Sequence, residues 1–310
     1  MAFLQNIALG DPSPNKQNFI DLKLKLLCCR YWLLNLWDCH DMIFPFWRIY
    51  WNRNEGGELI HLDIIYKMNP DTLYIIPPFT SFSSRYTKKH IYETGIHVSG
   101  RHLTSDYNED DYLDSSLIHF FMHFNLGVPF DNVYPGILEI EVTDYLKDRL
   151  EYLTGRLKIE NTDFKLTFNL KLQAFIKEVL TNIGPELWKA INIDDRVLKV
   201  IPFIEANINK KLSNSEIATI VNMAPNSFAR LFKDEMHITL HHFIQNRKIA
   251  RSCELFEHTN KTIEDVAFNL GYSDRYHFSR VFKLVTGLTP GVYKSGKYML
   301  QKKLLYFFSV

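Results

Sequence analysis

The segment "ARLFK" at Ala229–Lys233 recurs as "SRVFK" at Ser279–Lys283, 50 residues downstream. A repeat of this length restricts the fold more than any single motif does, because both copies must solve the same packing problem. The likeness extends upstream, where "SEIATIV" from Ser215 parallels "TIEDVAFNL" from Thr262, with Ala218 and Ala267 in matching places. Each copy reads as a short helix with a small inner residue, a tight turn at Asn222-Met223 or Gly271-Tyr272, and a second helix. In the second copy Phe278, Val281, Phe282 and Val285 recur at spacings of three and four, the mark of one buried helical face. Phe228, Leu231 and Phe232 form the corresponding stripe in the first. Gly287 supplies a stop, with Pro290 three residues beyond it.

Two helices crossing closely over a small residue make a helix-turn-helix, whose second helix can enter the major groove of DNA. The faces opposite the apolar stripes suit that use. They carry Asn226, Ala229, Arg230 and Lys233 in the first unit, and Arg275, Tyr276, Ser279 and Arg280 in the second. Arginine can bond guanine O6 and N7 as a bidentate pair, discriminating by about 1–3 kcal/mol. Ala229 can offer only a methyl contact to thymine. Two units joined by a helix from about Leu240 to Glu257 can reach successive major grooves, about 34 Å apart.

Residues 198–298 resemble the DNA-binding module of the AraC/XylS family of bacterial transcription regulators. The resemblance rests on "GYSDRYHFSRVFKLVTGLTPGVYK" (Gly271–Lys294), "IEDVAFNLGY" and "FIQNRKIARSCELF". It implies base-facing positions at Asn226, Ala229 and Arg230, and at Arg275, Tyr276, Ser279 and Arg280. Thr262, a candidate N-cap, and Lys283 are expected at phosphates, where they would position without specifying. One departure stands out. The family usually has glycine after the first recognition helix, whereas "KDEMHITL" has His237, which must then take a positive φ or alter the turn.

Upstream the periodicity is different. From about Tyr31 to Val142 short apolar strands alternate with turns. "PFWRIYWNRNEGGELIHLDI" reads as strand, Gly56-Gly57 turn, strand; "NPDTLYIIPP" as turn, strand and proline stop; "SLIHFFMHFNLG" as a further strand. Such a series predicts an all-β sandwich or barrel, and it resembles, more loosely, the cupin-like sensor domain of the same family. A barrel of this size encloses one small ligand. Trp47, Arg48, Tyr50 and Trp51 offer aromatic faces and a carboxylate-binding guanidinium, and His119 and His123 share a strand face by parity. The histidine–glutamate spacing of metal-binding cupins is missing, so no metal or cofactor is expected and no catalytic residue is assigned. Helical patterns at Leu138 to about Gly155 and at Phe164–Ile183 make a connector. In the second of these, Leu166, Leu170, Phe175 and Val179 either form a dimer interface or cover the barrel.

Charge divides along the same line. Residues 198–298 hold 14 Lys/Arg against 9 Asp/Glu, and the remainder 22 against 26. A basic module joined to a mildly acidic one suits a polyanion partner. Four cysteines without C-x-x-C spacing read as reduced thiols, and the start "MAFLQNIALGDPSP" lacks a signal-peptide pattern. No apolar run approaches the roughly 18 residues of a membrane span. The expectation is therefore a two-domain cytoplasmic protein. Residues 1–145 form a mainly-β cupin-like sensor and dimerisation barrel, 146–196 a helical connector, 197–298 an all-α tandem helix-turn-helix domain, and 299–310 an apolar tail. Its expected partners are double-stranded promoter DNA, a small-molecule effector, a second copy of the chain as homodimer, and, by resemblance, RNA polymerase contacted as an activator. Two alternatives remain: an effector-independent regulator whose barrel serves only dimerisation, or a metal-dependent cupin enzyme.

Overall fold

The computed structural model describes residues 22–89, 91–160, 163–188 and 193–295; the tail at 299–310 lies outside them. The first half is one antiparallel sheet. Its strands are β1 (Lys25–Met42), β2 (Trp47–Asn52), β3 (Gly57–His61), β4 (Ile64–Lys67), β5 (Thr72–Ile76), β6 (Phe82–Tyr86), β7 (Ile96–His102), β8 (Leu117–Asn125) and β9 (Leu138–Glu141). They run in the order β4-β3-β6-β1-β8-β2-β5-β9, with β7 also on β1. The sheet curls into a half-barrel. Its longest member, β1, is 18 residues and pairs in turn with β8, β7 and β6.

Strand alternation divides the side chains between two cores. Trp47, Ile49, Trp51, Phe120, Met122 and Phe124 point outward, under helices α1 (Asp144–Leu157) and α2 (Leu166–Leu180). Tyr50, Trp37, Tyr74, Tyr86 and Leu117 point into the concave side, where they join a cluster that includes Phe256, Phe278 and Phe282 of the C-terminal half. Of the expected dimer or cover positions, Phe175 and Val179 are buried on the sheet, while Leu166 and Leu170 remain exposed.

The strand, turn and strand read around Gly56-Gly57 are β2, the turn and β3, but these strands do not pair with each other: β2 pairs with β5 and β8, and β3 with β4 and β6. The actual hairpin is β3–β4, turned by Leu62 and Asp63 at φ 46° and 63°, residues that carry no strong turn signal. The helix read from Leu138 starts late. Leu-Glu-Ile-Glu at 138–141 alternates with period two and pairs with β5, and Thr143 then caps α1.

The second half is helical: α3 (Asp195–Ala206), α4 (Asn214–Thr219), α5 (Pro225–Met236), α6 (Leu240–His258), α7 (Ile263–Asn269) and α8 (Arg275–Thr286). Residue for residue, 228–240 and 278–290 carry the same succession of buried, half-buried and exposed positions. The turns match as well. Met223 N donates to Ala218 O and Tyr272 N to Ala267 O, both at 3.1 Å, after Asn222 and Gly271 at positive φ. Ala218 and Ala267 are fully buried where the paired helices cross. Each first helix opens with a capping box, Ser213 with Glu216 and Thr262 with Asp265.

At the ends of the second helices the repeat holds in backbone but not in residue. Gly287 caps α8 at φ 76°, and His237 caps α5 at φ 56°, adopting the left-handed conformation its position demands. A side chain there costs roughly 1–2 kcal/mol that glycine avoids. His237 is exposed, so little contact is lost on its removal. His237→Gly is expected to raise unfolding free energy by about 1 kcal/mol, read by urea denaturation; an unchanged or lower midpoint would refute the strain.

Candidate nucleic-acid interface

Helices α5 and α8 each bury one face and present the other. Phe228, Phe232 and Met236 sit in the core formed with α3 and α6, and Phe278 and Phe282 pack on Phe256. Burial of these stripes leaves Asn226, Arg230, Arg275, Tyr276 and Arg280 exposed, Tyr276 at 75%, with Ala229 and Ser279 half-buried between them. The Arg275 guanidinium lies 5.8 Å from the centre of the Tyr276 ring. Ser279 donates its hydroxyl to Arg275 O at 2.8 Å, so it is engaged with its own helix.

Asp274 caps α8 by accepting from His277 N at 2.7 Å, a bond that holds its carboxyl below the usual range. Helix α5 instead starts with Ala224 and Pro225 and has no side-chain cap. Lys283 is exposed on α8, as Lys233 is on α5. Thr262 is the N-cap of α7, as expected, and is exposed. Its hydroxyl donates to Asp265 Oδ2 at 2.6 Å and accepts from Asp265 N at 3.1 Å.

These paired, outward, cation-bearing helices match a known domain. A family model described as "Helix-turn-helix domain" covers residues 217–296. The chain carries an AraC-type helix-turn-helix domain. Over 92 residues the chain is 33% identical to the uncharacterized HTH-type transcriptional regulator YfiF of Bacillus subtilis, covering 30% of this chain and 29% of that protein. Over 147 residues it is 27% identical to the probable transcriptional regulator LumQ of Photobacterium leiognathi, covering 47% and 58%. The chain thus spans less than two thirds of either relative. In fold it is similar to ToxT from Vibrio cholerae, with a TM-score of 0.54 at 12% identity over 89% of this chain and 98% of that one. Both relatives are named as transcriptional regulators.

The half-barrel sorts the six candidate ligand residues into two groups. Arg48, Tyr50, His119 and His123 face the concave side, with Arg48 opposite His123 and Tyr50 opposite Phe121 across the β2–β8 pair. Trp47 and Trp51 face away. Trp47 Nε1 donates to Asp131 Oδ1 at 3.1 Å and its ring stacks on Phe124; Trp51 Nε1 donates to Pro70 O at 2.7 Å. Adjacent positions on a strand cannot line one pocket, so the aromatic run does not act as a unit.

On the concave side His119 is packed between Trp37 and Tyr50, and its Nδ1 lies 2.7 Å from Asn52 Oδ1. Arg48 is 3% exposed, and its guanidinium carbon is 3.6 Å from the centre of the Phe44 ring. Phe46 and Phe82 lie within 5.1 Å of the same carbon. Among the described residues its Nε and Nη1 have no hydrogen-bond partner, and burial pulls its pKa down. Among the described residues no three His, Cys, Asp or Glu gather as a metal set.

The contacts between the halves are ones the sequence reading missed. Glu254 on α6 is buried and accepts from Lys25 Nζ at 2.6 Å, Arg251 Nη1 at 2.5 Å and Asn125 Nδ2 at 3.0 Å. Arg247 bonds Glu205 at 2.5 Å and reaches Asp131 at 3.4 Å. Asn132 Nδ2 donates to Met236 O at 3.3 Å, and Ile43 N to Thr286 O at 3.4 Å. Beside these contacts lies a cleft of 630 Å³ lined by Lys23, Lys25, Arg247, Arg251 and Lys261. The available signal was α6 itself, whose apolar residues Leu240, Phe243, Ile244, Ile249, Cys253 and Phe256 fall on both sides of the helix, so it cannot have one wet face.

Two measurements test the concave side. Burial pushes His119 down to about 3 from 6.5, so the unfolded chain binds the extra proton between those values. The stability this neutral imidazole protects is complete above pH 6.5 and falls as pH drops towards 3. At pH 5 the loss through this group is about 2 kcal/mol relative to pH 7. Urea unfolding at both pH values should show it, and His119→Gln should remove it; equal slopes in both proteins would refute it. Arg48→Met removes a buried charge that no counter-charge among the described residues meets, and is expected to stabilise the chain by about 1–4 kcal/mol. A lower unfolding midpoint would mean that the aromatic cage already satisfies the guanidinium.

Proposed function

We propose that the chain is a sequence-specific transcription regulator that binds promoter DNA through both helix-turn-helix units. The observation that carries this reading is the matched burial succession of 228–240 and 278–290, which turns the same helical face outward twice. Arg230 reads one half-box, and Arg275 and Arg280 the other, through guanine edges. Tyr276 and Asn226 add contacts beside them, and Lys283 meets phosphate. Residues 197–298 are the DNA-binding module in this reading, and the half-barrel within 1–145 is the sensor. Such a protein works in the cytoplasm, and no described helix is long and apolar enough to cross a membrane.

The proposed effector is a small anion, held by Arg48 on the concave side. A buried guanidinium without a carboxylate is costly, and an anionic ligand supplies the missing charge and acceptors. Two ToxT structures are described as bound to an unsaturated fatty acid and to (E)-4-(8-methylnaphthalen-1-yl)but-3-enoic acid, both carboxylic acids. Binding acts on DNA affinity only as far as the effector distinguishes two dispositions of the module. Exposed Leu166 and Leu170 on α2 suit a homodimer, and activation would proceed by contact with RNA polymerase.

The test is selection of bound duplexes from a random library by the full chain, with wild type, Arg230→Ala and Arg280→Ala at two salt concentrations. A site of two half-boxes one helical turn apart is expected. Each variant should lose preference in its own box by about 1–3 kcal/mol and keep the other. Weak, steeply salt-dependent binding that ignores sequence would sink the reading.

A further inference from the structure

Lys248 lies in the middle of α6, the helix that joins the two units. It is 6% exposed, and among the described residues no carboxylate pairs with it. Its ammonium instead donates to two backbone carbonyls from different units. Leu270 O, at the end of α7, is 2.6 Å away; Lys210 O, three residues before the Ser213 cap of α4, is 3.0 Å away. The Tyr272 ring lies 5.3 Å from the same nitrogen, and Tyr272 donates its hydroxyl to Gln245 Oε1 on α6 at 2.7 Å. Burial draws the Lys248 pKa down.

The two units also touch directly at this point. Gly271 has φ 73°, and a β-carbon there would sit 2.6 Å from Asn209 O. The turn of the second unit therefore rests backbone to backbone on the loop that leads into the first. An ammonium has three donors and can hold two acceptors from separate segments at once. A hydrocarbon chain of the same length fills the space but holds neither.

We infer that Lys248 is a positioning residue for DNA recognition: by tying Lys210 O to Leu270 O it fixes the separation of α5 and α8, and so the spacing of half-boxes the protein accepts. It touches no base or phosphate in this role. The inference rests on the tandem reading above. One added base pair advances the second box by about 3.4 Å and turns it by roughly a tenth of a revolution. A rigid pair of units cannot follow that change; a loosely joined pair can.

The experiment uses full-length protein and duplexes carrying the two selected boxes at the optimal spacing and at one base pair more or less. Wild type should lose about tenfold in affinity at either displaced spacing, the scale of an imperfect site. Lys248→Met should keep its affinity for each box but lose only about two- to threefold on displacement, because its units are free to adjust. Tyr272→Phe, which cuts the second tie to α6 and leaves the ring in place, should broaden the profile in the same direction. It carries the test if circular dichroism shows Lys248→Met unfolded. A folded Lys248→Met with the wild-type profile, or a Tyr272→Phe with that profile where Lys248→Met does not fold, overturns the inference alone. A wild type that prefers neither box at any spacing overturns the regulator reading as well.

Discussion

Burial of charge along α6 is the constraint on which the arrangement of the molecule depends. Glu254 is taken out of water and must be surrounded by donors; Lys25 and Asn125 come from the half-barrel, and Arg251 from its own helix. Asp131 is likewise buried, held by the amides of Leu126 and Gly127, by Trp47 Nε1 and by Arg247. Each donor removed weakens the hold on Glu254 or Asp131, because a buried carboxylate cannot turn to water instead. A polar contact of this kind fixes geometry better than an apolar one, since a carboxylate needs its donors at particular places. The DNA-binding half is thereby seated on the sheet in one orientation. The chain Trp47–Asp131–Arg247–Glu205 also runs without interruption from the sheet to α3.

The buried and outward faces of α5 and α8 were legible in the sequence, because an amphipathic helix declares its buried face by spacing alone. Phe228 and Phe232, and Phe278 and Phe282, take the core positions that their spacing implies. The anomaly at His237 also appears where expected, since a helix that must turn back needs a left-handed residue whatever its side chain. The half-barrel was less legible. Strand existence follows from apolar alternation, but pairing is decided by contacts far apart in sequence, and no local signal marks β3 as a neighbour of β6 rather than β2. The same limit hid Glu254 and Lys248. On a helix drawn alone both look like solvated charges, and only the approach of other segments from two sides buries them.

The concave side of the sheet combines two incompatible demands. A well-packed interior wants hydrocarbon, and most of it is aromatic: Phe44, Phe46, Tyr50 and Phe82 surround Arg48. The guanidinium among them gains attraction from the ring faces, yet among the described residues two of its nitrogens find no acceptor. Proteins hold such groups at a cost in stability where binding requires them. His119 is the contrasting case, a buried polar ring kept neutral and bonded to Asn52.

Strand β1 and the loop that follows it meet the DNA-binding half at both ends. Lys25 near the start bonds Glu254 on α6, while Ile43 just past the end donates to Thr286 O, and Asp41 O lies 3.0 Å from where a Gly287 β-carbon would be. The second unit is held at these two points, and the first is fastened to it through Lys248 and by Gly271 resting on Asn209. Peeling one helix away would not free the rest. The module must leave its seat as a single body or stay, so any motion of it relative to the sheet is all-or-none.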